Sequence, residues 1–192
     1  MNIILLSGGS GKRLWPLSND VRSKQFIKLF KHNGQYESMV QRVYRQLKEV
    51  DENSNITIAT SKMQVSVIHN QLGDNVSVSV EPCRRDTFPA IALSTAYLHY
   101  VKNVSLDDSV VVCPVDPYVE DSYFECIKDI YEYSCTGQSN LTLMGIAPTE
   151  PSEKFGYIMP KTNGQISQVD SFKEKPSENL AKEYIEKGGL WN

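Results

Sequence analysis

An apolar run, Ile3-Ile4-Leu5-Leu6, passes without interruption into Ser7-Gly8-Gly9-Ser10-Gly11 and then Lys12-Arg13. Four apolar residues bounded by glycines read as a short strand buried on both faces, and no other segment restricts the fold as much. The glycines let the backbone bend and expose its N–H groups to an anion without Cβ interference. Lys12, Arg13 and the later Lys24 bring full positive charge to those donors. A strand that feeds a Gly-rich turn lined with cations reads as a phosphate site. The plainer alternative is a strand and turn with solvated Lys and Arg.

Two common phosphate motifs are excluded. A P-loop requires a glycine where Leu6 stands and a Ser or Thr where Arg13 stands. The dinucleotide fingerprint requires a glycine at Leu14.

The rest of the chain alternates helical and extended patterns. Residues 19–34 read as a loop around Lys24-Gln25-Phe26. Met39, Val40, Val43, Leu47 and Val50 recur at helical spacing, Asn55–Thr60 is a strand, and Lys62–Leu72 is a helix closed by Gly73. Val76–Val80 alternates as a strand and delivers Glu81 to Thr87 to a loop. Phe88–Val101 is an Ala-rich helix, and the β-branched run Ser109–Cys113 ends in Pro114-Val115-Asp116-Pro117. Beyond it, Tyr123–Tyr133 reads as a helix and Asn140–Ile146 as a strand. Two further strands, Phe155–Met159 and Ile166–Phe172, flank a Thr162-Asn163-Gly164 turn, and Glu178–Lys187 is a last helix. The pattern is that of one α/β domain, residues 1–192, with a mostly parallel sheet. In such sheets ligands sit outside the carboxyl ends of the strands. Gly8–Arg13, Glu81–Thr87 and Asp116 all fall at such ends, so a single crevice is expected to hold them.

Charge narrows the ligand. A net charge of −3 with a pI near 5.7 argues against general nucleic-acid binding. Residues 1–28 nevertheless carry Lys12, Arg13, Arg22, Lys24 and Lys28 against Asp20 alone, which suits a small anion. Cys83, Cys113, Cys126 and Cys135 lack C-x-x-C spacing, and His32, His69 and His99 are scattered, so no zinc site is expected. Reduced thiols, no signal sequence and no span of about 20 apolar residues give a cytoplasmic, membrane-free expectation.

Ser7-Gly8-Gly9-Ser10-Gly11-Lys12-Arg13-Leu14-Trp15-Pro16-Leu17-Ser18, followed by Lys24-Gln25-Phe26, resembles the signature of the sugar-phosphate nucleotidyltransferases. Trp15 and the Lys-Gln-Phe segment look most like the mannose-1-phosphate guanylyltransferases. Phe172-Lys173-Glu174-Lys175-Pro176 matches that family's F-x-E-K-P, and Leu190-Trp191-Asn192 its L-W-N. The chain departs from the family at Asp86, where Asn is usual, and at Pro117, where His is usual.

The resemblance implies a Rossmann-like three-layer α/β/α domain, here without its C-terminal remainder. The implied reaction is Mg²⁺-dependent transfer of GMP from GTP to mannose 1-phosphate, giving GDP-mannose and pyrophosphate. By the same resemblance Arg13, Lys24, Asp116 and Lys175 are catalytic, and Asp116 also holds the metal. Ser7, Gly8, Gly9, Ser10, Gly11, Lys12, Glu81, Pro82, Arg85 and Asp86 bind the nucleotide, with Glu81 accepting hydrogen bonds from guanine. Gly156, Tyr157, Glu174 and Asn192 bind the sugar. A homodimer is a further expectation. Family members continue past L-W-N, where their second metal aspartate lies, so weak or absent activity is expected of these 192 residues alone. Transfer from UTP or dTTP, and a non-catalytic sugar-nucleotide-binding role, remain as alternatives.

Overall fold

The computed structural model describes residues 1–9, 15–19 and 23–192. The chain divides into two compact units, Met1–Gln138 and Ser139–Asn192.

The first unit is built on a parallel sheet. Its strands are β1 (Asn2–Leu6), β4 (Asn55–Ser61), β5 (Ser77–Glu81) and β6 (Val110–Pro114), in the order β5-β4-β1-β6. Ile3, Ile4 and Leu5 are fully buried, each contributing about 1.5–3 kcal/mol by leaving water. Register explains why an unbroken apolar run is required. Leu6 lies beside Ala59, and Ile4 clusters with Ala59 and Leu98 of α3 (Thr87–Lys102). Ile3 and Leu5 alternate to the opposite face beside Ile56, Ile58 and Cys113. That face meets α4 (Asp121–Cys135), which packs on β6 and places Tyr123 near Cys113. Beside α4 packs α1 (Met39–Val50), burying Val40, Val43 and Leu47. The three layers are therefore α3, the sheet, and α4 with α1, as expected.

Local chemistry sets the helix starts. Ser38 caps α1 through a reciprocal pair, Gln41 N–H to Ser38 Oγ at 3.4 Å and Ser38 N–H to Gln41 Oε1 at 3.1 Å. The 62–72 segment begins with one tight turn, Lys62–Gln64, before α2 (Val65–Leu72), which ends at Gly73.

Strand order matters most for function. From β1 the chain crosses to β4 and β5 on one side, then to β6 on the other. The direction of winding thus reverses between β1 and β6, and the carboxyl ends there form the crevice where open α/β sheets hold ligands.

Two local expectations are corrected. Lys28–His32, within the 19–34 stretch read as a loop, forms β2 and pairs with β3 (Gln35–Ser38), just beyond it, as an antiparallel hairpin. Asn33 and Gly34 supply the two positive φ values, 48° and 80°, that such a turn needs. Residues 140–146 do not form a regular strand. Their ladder contact is one bridge, Ile146 with Trp191, because the adjoining strand β9 (Leu190–Trp191) is only two residues long. That strand itself is an addition to the sequence reading. In the second unit β9 joins β7 (Gly156–Pro160) and β8 (Val169–Glu174) in an antiparallel sheet, order β8-β7-β9, and α5 (Glu178–Glu186) packs on β7.

Candidate active site

A cleft of about 480 Å³ opens in the first unit where β1, β4, β5 and β6 end. It is lined by Gly8, Gly9, Lys24, Glu81, Arg84, Arg85, Asp86 and Asp116, among others. The expected crevice is therefore present, and Gln25 joins it. Ser10, Gly11, Lys12 and Arg13 lie outside the described residues.

Ser7, the residue that leaves β1, is fully buried. Its N–H donates to the Ala59 carbonyl at 2.9 Å, and its own carbonyl accepts from Gln25 Nε2 at 3.2 Å. The turn thus leaves the sheet from a fixed point. At Gly8 a Cβ would stand 3.3 Å from Glu81 Oε2, so the glycine lets that carboxylate lie against the backbone.

Glu81 is 7% exposed, and burial pushes its carboxyl above the usual carboxylate range, with Arg84 opposing the shift. A buried acid at a cleft wall is suited to accept hydrogen bonds from a ligand's N–H groups. Pro82 and Arg85 are exposed on the loop that follows. Arg85 Nε contacts Cys83 Sγ at 3.4 Å.

Asp86 precedes α3 with φ 65° and ψ −170°, a region that non-glycine residues avoid. Its side chain makes no hydrogen bond to the helix end, so helix capping does not account for the strained backbone. It lines the cleft instead.

Asp116 forms an ion pair with Lys24, and the two side chains are 42% and 50% exposed. Among the described residues no cluster of three or more His, Cys, Asp or Glu could hold a metal ion. Asp116 is a single exposed carboxylate already facing a cation. Mg²⁺ is commonly bound by one or two carboxylates plus phosphate oxygens, so Asp116 fits as one ligand of a site completed by substrate. Cys113, on the strand that carries Asp116, is a different case: burial pushes its thiol up to about 12, and it stays protonated.

In the second unit, Gly156 stands opposite Glu174 across the β7–β8 pair, and Asn192 N–H donates to the Gly156 carbonyl at 3.0 Å. A Cβ on Gly156 would come within 2.5 Å of the Phe172 ring and 2.9 Å of Glu174 Oε2. Only glycine leaves room for the Glu174 carboxylate there. Lys175 follows with φ 45°, and its Nζ meets Glu174 Oε1 at 2.7 Å. Gly156, Glu174, Lys175 and Asn192 are therefore brought together. Tyr157 is not. It is fully buried and accepts the Ser152 N–H on its hydroxyl at 3.0 Å, so its side chain packs in the core.

Sequence reasoning passed over the buried polar side chains around the turn, Ser23, Gln25, Thr60 and Gln64, all 2% exposed or less. Isolated polar residues carry no pattern of their own. Lys24-Gln25-Phe26 was visible as a motif, but nothing along the chain shows that Gln25 points inward to Ser7.

A family model described as "Nucleotidyl transferase" matches residues 2–192. The chain is 32% identical to mannose-1-phosphate guanylyltransferase of Escherichia coli over 203 aligned residues, covering 98% of this chain and 42% of that protein. It is 30% identical to alginate biosynthesis protein AlgA of Pseudomonas syringae pv. tomato, over 98% of this chain and 39% of that one. A crystal structure of mannose-1-phosphate geranyltransferase from Thermus thermophilus superposes with a TM-score of 0.82 at 29% identity. That match covers all of this chain and 54% of the other. The chain thus spans about two fifths of the length of these curated relatives. No helix among the described residues is long and apolar enough to cross a membrane.

Proposed function

The chain belongs to the nucleotidyl transferase family, and on that premise we propose that it carries the nucleotide side of a mannose-1-phosphate guanylyltransferase, transferring GMP from GTP to mannose 1-phosphate with release of pyrophosphate. One observation supports this above the rest. Gly8, Glu81, Lys24 and Asp116, from four separate segments, meet in one cleft beside the reversal point of the sheet.

Two polyanions must meet in line, so the protein's task is positioning and charge neutralisation more than covalent chemistry. Backbone N–H groups of the Gly8–Gly9 turn face the nucleotide phosphates, joined by Lys12 and Arg13. Glu81 accepts from the N1–H and amino group of guanine, a donor pair that adenine does not present. The Lys24–Asp116 pair is half exposed, and an exposed pair is held by only about 0.2–1 kcal/mol, so substrate can separate it. Lys24 would then be free to meet a phosphate, and Asp116 is the residue that would hold Mg²⁺. Mg²⁺, when bound, neutralises phosphate charge and orients the phosphate oxygens.

The sugar-side residues follow the same logic. Glu174 accepts from sugar hydroxyls and Lys175 meets the phosphate of mannose 1-phosphate. Lys175 is held in a left-handed backbone conformation that costs a non-glycine residue roughly 1–2 kcal/mol. Retained strain of this kind is common where a side chain must point at a ligand. The reading also includes a homodimer and a cytoplasmic location.

The test is pyrophosphate release from GTP, UTP, dTTP and ATP, each with mannose 1-phosphate and Mg²⁺, by this chain. The expected result is turnover with GTP. Preference for UTP or dTTP would replace the guanylyl assignment with another sugar nucleotidyl transfer. Binding without turnover would leave a non-catalytic binding role.

A further inference from the structure

Behind the cleft, one buried amide connects the two backbone segments that carry the phosphate-facing groups. Gln64 is fully buried at the end of the tight turn before α2, and no motif accounts for it. Thr60 Oγ1 lies 2.8 Å from Gln64 Oε1 and 3.3 Å from the Ser7 carbonyl. A hydroxyl has one hydrogen, so the shorter contact is its hydrogen bond. With Oε1 engaged by Thr60, the amide nitrogen is turned to the other side. There Nε2 donates to the Gly9 carbonyl at 3.2 Å and to Ser23 Oγ at 3.0 Å. The amide nitrogen thus reaches one group on each segment. Gly9 stands in the Gly-rich turn, and Ser23 immediately precedes Lys24.

We propose that Gln64 is a positioning residue that sets the spacing between the Gly-rich turn and Lys24, so that both reach one nucleotide phosphate chain in register. The inference rests on the reading above, that these two segments bind nucleotide phosphates. It adds a residue with no contact to substrate that acts through Gly9 and Ser23. The chemistry fits that role better than a packing role. An apolar side chain of similar volume would fill the same space without burying an amide. Only a planar group with an acceptor at one end and two donors at the other can tie Thr60, Gly9 and Ser23 at once. Gln25, next to Lys24, ties the same two segments through the Ser7 carbonyl, and Gln64 adds a second tie at Gly9 and Ser23.

The test uses the 192-residue chain with Gln64→Leu, Gln64→Glu and Ser23→Ala, read by amide hydrogen exchange without ligand and by GTP titration. In Gln64→Leu, exchange at Gly8–Gly9 and at Ser23–Lys24 should rise together by about tenfold, the scale of one lost buried hydrogen bond. Amides of β1, β4 and α2 should keep their protection. The GTP dissociation constant should rise by a similar factor. Ser23→Ala should loosen the Lys24 segment and leave the Gly turn protected. Gln64→Glu keeps the Thr60 contact and loses donation to the Gly9 carbonyl, so it should loosen the turn even if Gln64→Leu fails to fold. A uniform rise across β4 and α2 would make Gln64 an ordinary stabiliser and overturn the proposal. So would loosened segments with unchanged GTP affinity. Wild-type chain that binds no nucleoside triphosphate would instead remove the underlying reading, and the positioning role with it.

Discussion

The carboxyl end of the parallel sheet and the end of the β7–β8 pair hold their candidate residues in opposite ways. In the first unit the chemistry rests on buried support. Ser7, Thr60, Gln64 and Ser23 are buried, Glu81 is nearly so, and the turn backbone is held by side-chain donors from other segments. In the second unit Glu174 and Lys175 are largely exposed, at 57% and 62%, and pair with each other. What fixes them is the backbone: the Gly156–Glu174 register, the left-handed φ of Lys175 and the Asn192 bond to Gly156. A parallel sheet gathers ligand groups from strands far apart in sequence and needs buried polar ties to align them. An antiparallel pair brings its groups together by register alone.

Variants on the two sides should therefore fail differently. The largest effect is expected at Asp116→Asn and at Arg13→Ala. Each should lower kcat at least ~10²-fold, the scale of losing one transition-state contact. Near-normal pyrophosphate release from either would remove its role. Gly156→Ala comes next, because its Cβ meets Phe172 and Glu174 and overpacking costs about 1–3 kcal/mol. Thermal unfolding should register that cost, and KM for mannose 1-phosphate should rise more than KM for GTP.

Glu81→Gln should separate stability from binding. Glu81 has a folded-state pKa raised by burial, so the folded protein holds its proton more readily than the unfolded chain. Its charge costs stability above the raised pKa, and the cost disappears as pH falls below the ordinary carboxylate range. Glu81→Gln should unfold at a higher temperature than wild type at neutral pH, with the gain shrinking on acidification. GTP binding should weaken about tenfold, as for one lost buried hydrogen bond. A pH-independent stability difference would contradict the burial argument.

The smallest effect is expected at Lys175→Gly. Glycine accepts the φ of 45° without penalty, so stability should rise by about 1 kcal/mol while sugar-phosphate turnover falls. A stability loss would place Lys175 in support of the fold instead.

How much was legible from sequence follows the same division. Ile3–Leu6 and the 109–113 run announced central parallel strands because both faces of such strands must be apolar, and the ligand ends followed from topology. The β2–β3 hairpin was legible too, since Asn33-Gly34 is a strong hairpin signal, but it was read as part of a loop. The Asn140–Ile146 segment has the pattern of a strand, yet pattern does not guarantee a neighbour long enough to pair with it. Tyr157 sits within a sugar-side motif and faces the core, because a motif does not record which way alternate residues point. Gln64 carried no signal: its meaning lies in Gly9 and Ser23, partners distant along the chain.

The most direct test of the account is calorimetric titration of GTP, UTP and dTTP into the 192-residue chain with Mg²⁺. Nucleotide binding should require only the first unit's cleft. The expected result is saturable GTP binding, tighter than UTP or dTTP and weakened in Glu81→Gln. Absence of nucleotide binding, or binding indifferent to the base and to Glu81, would contradict it.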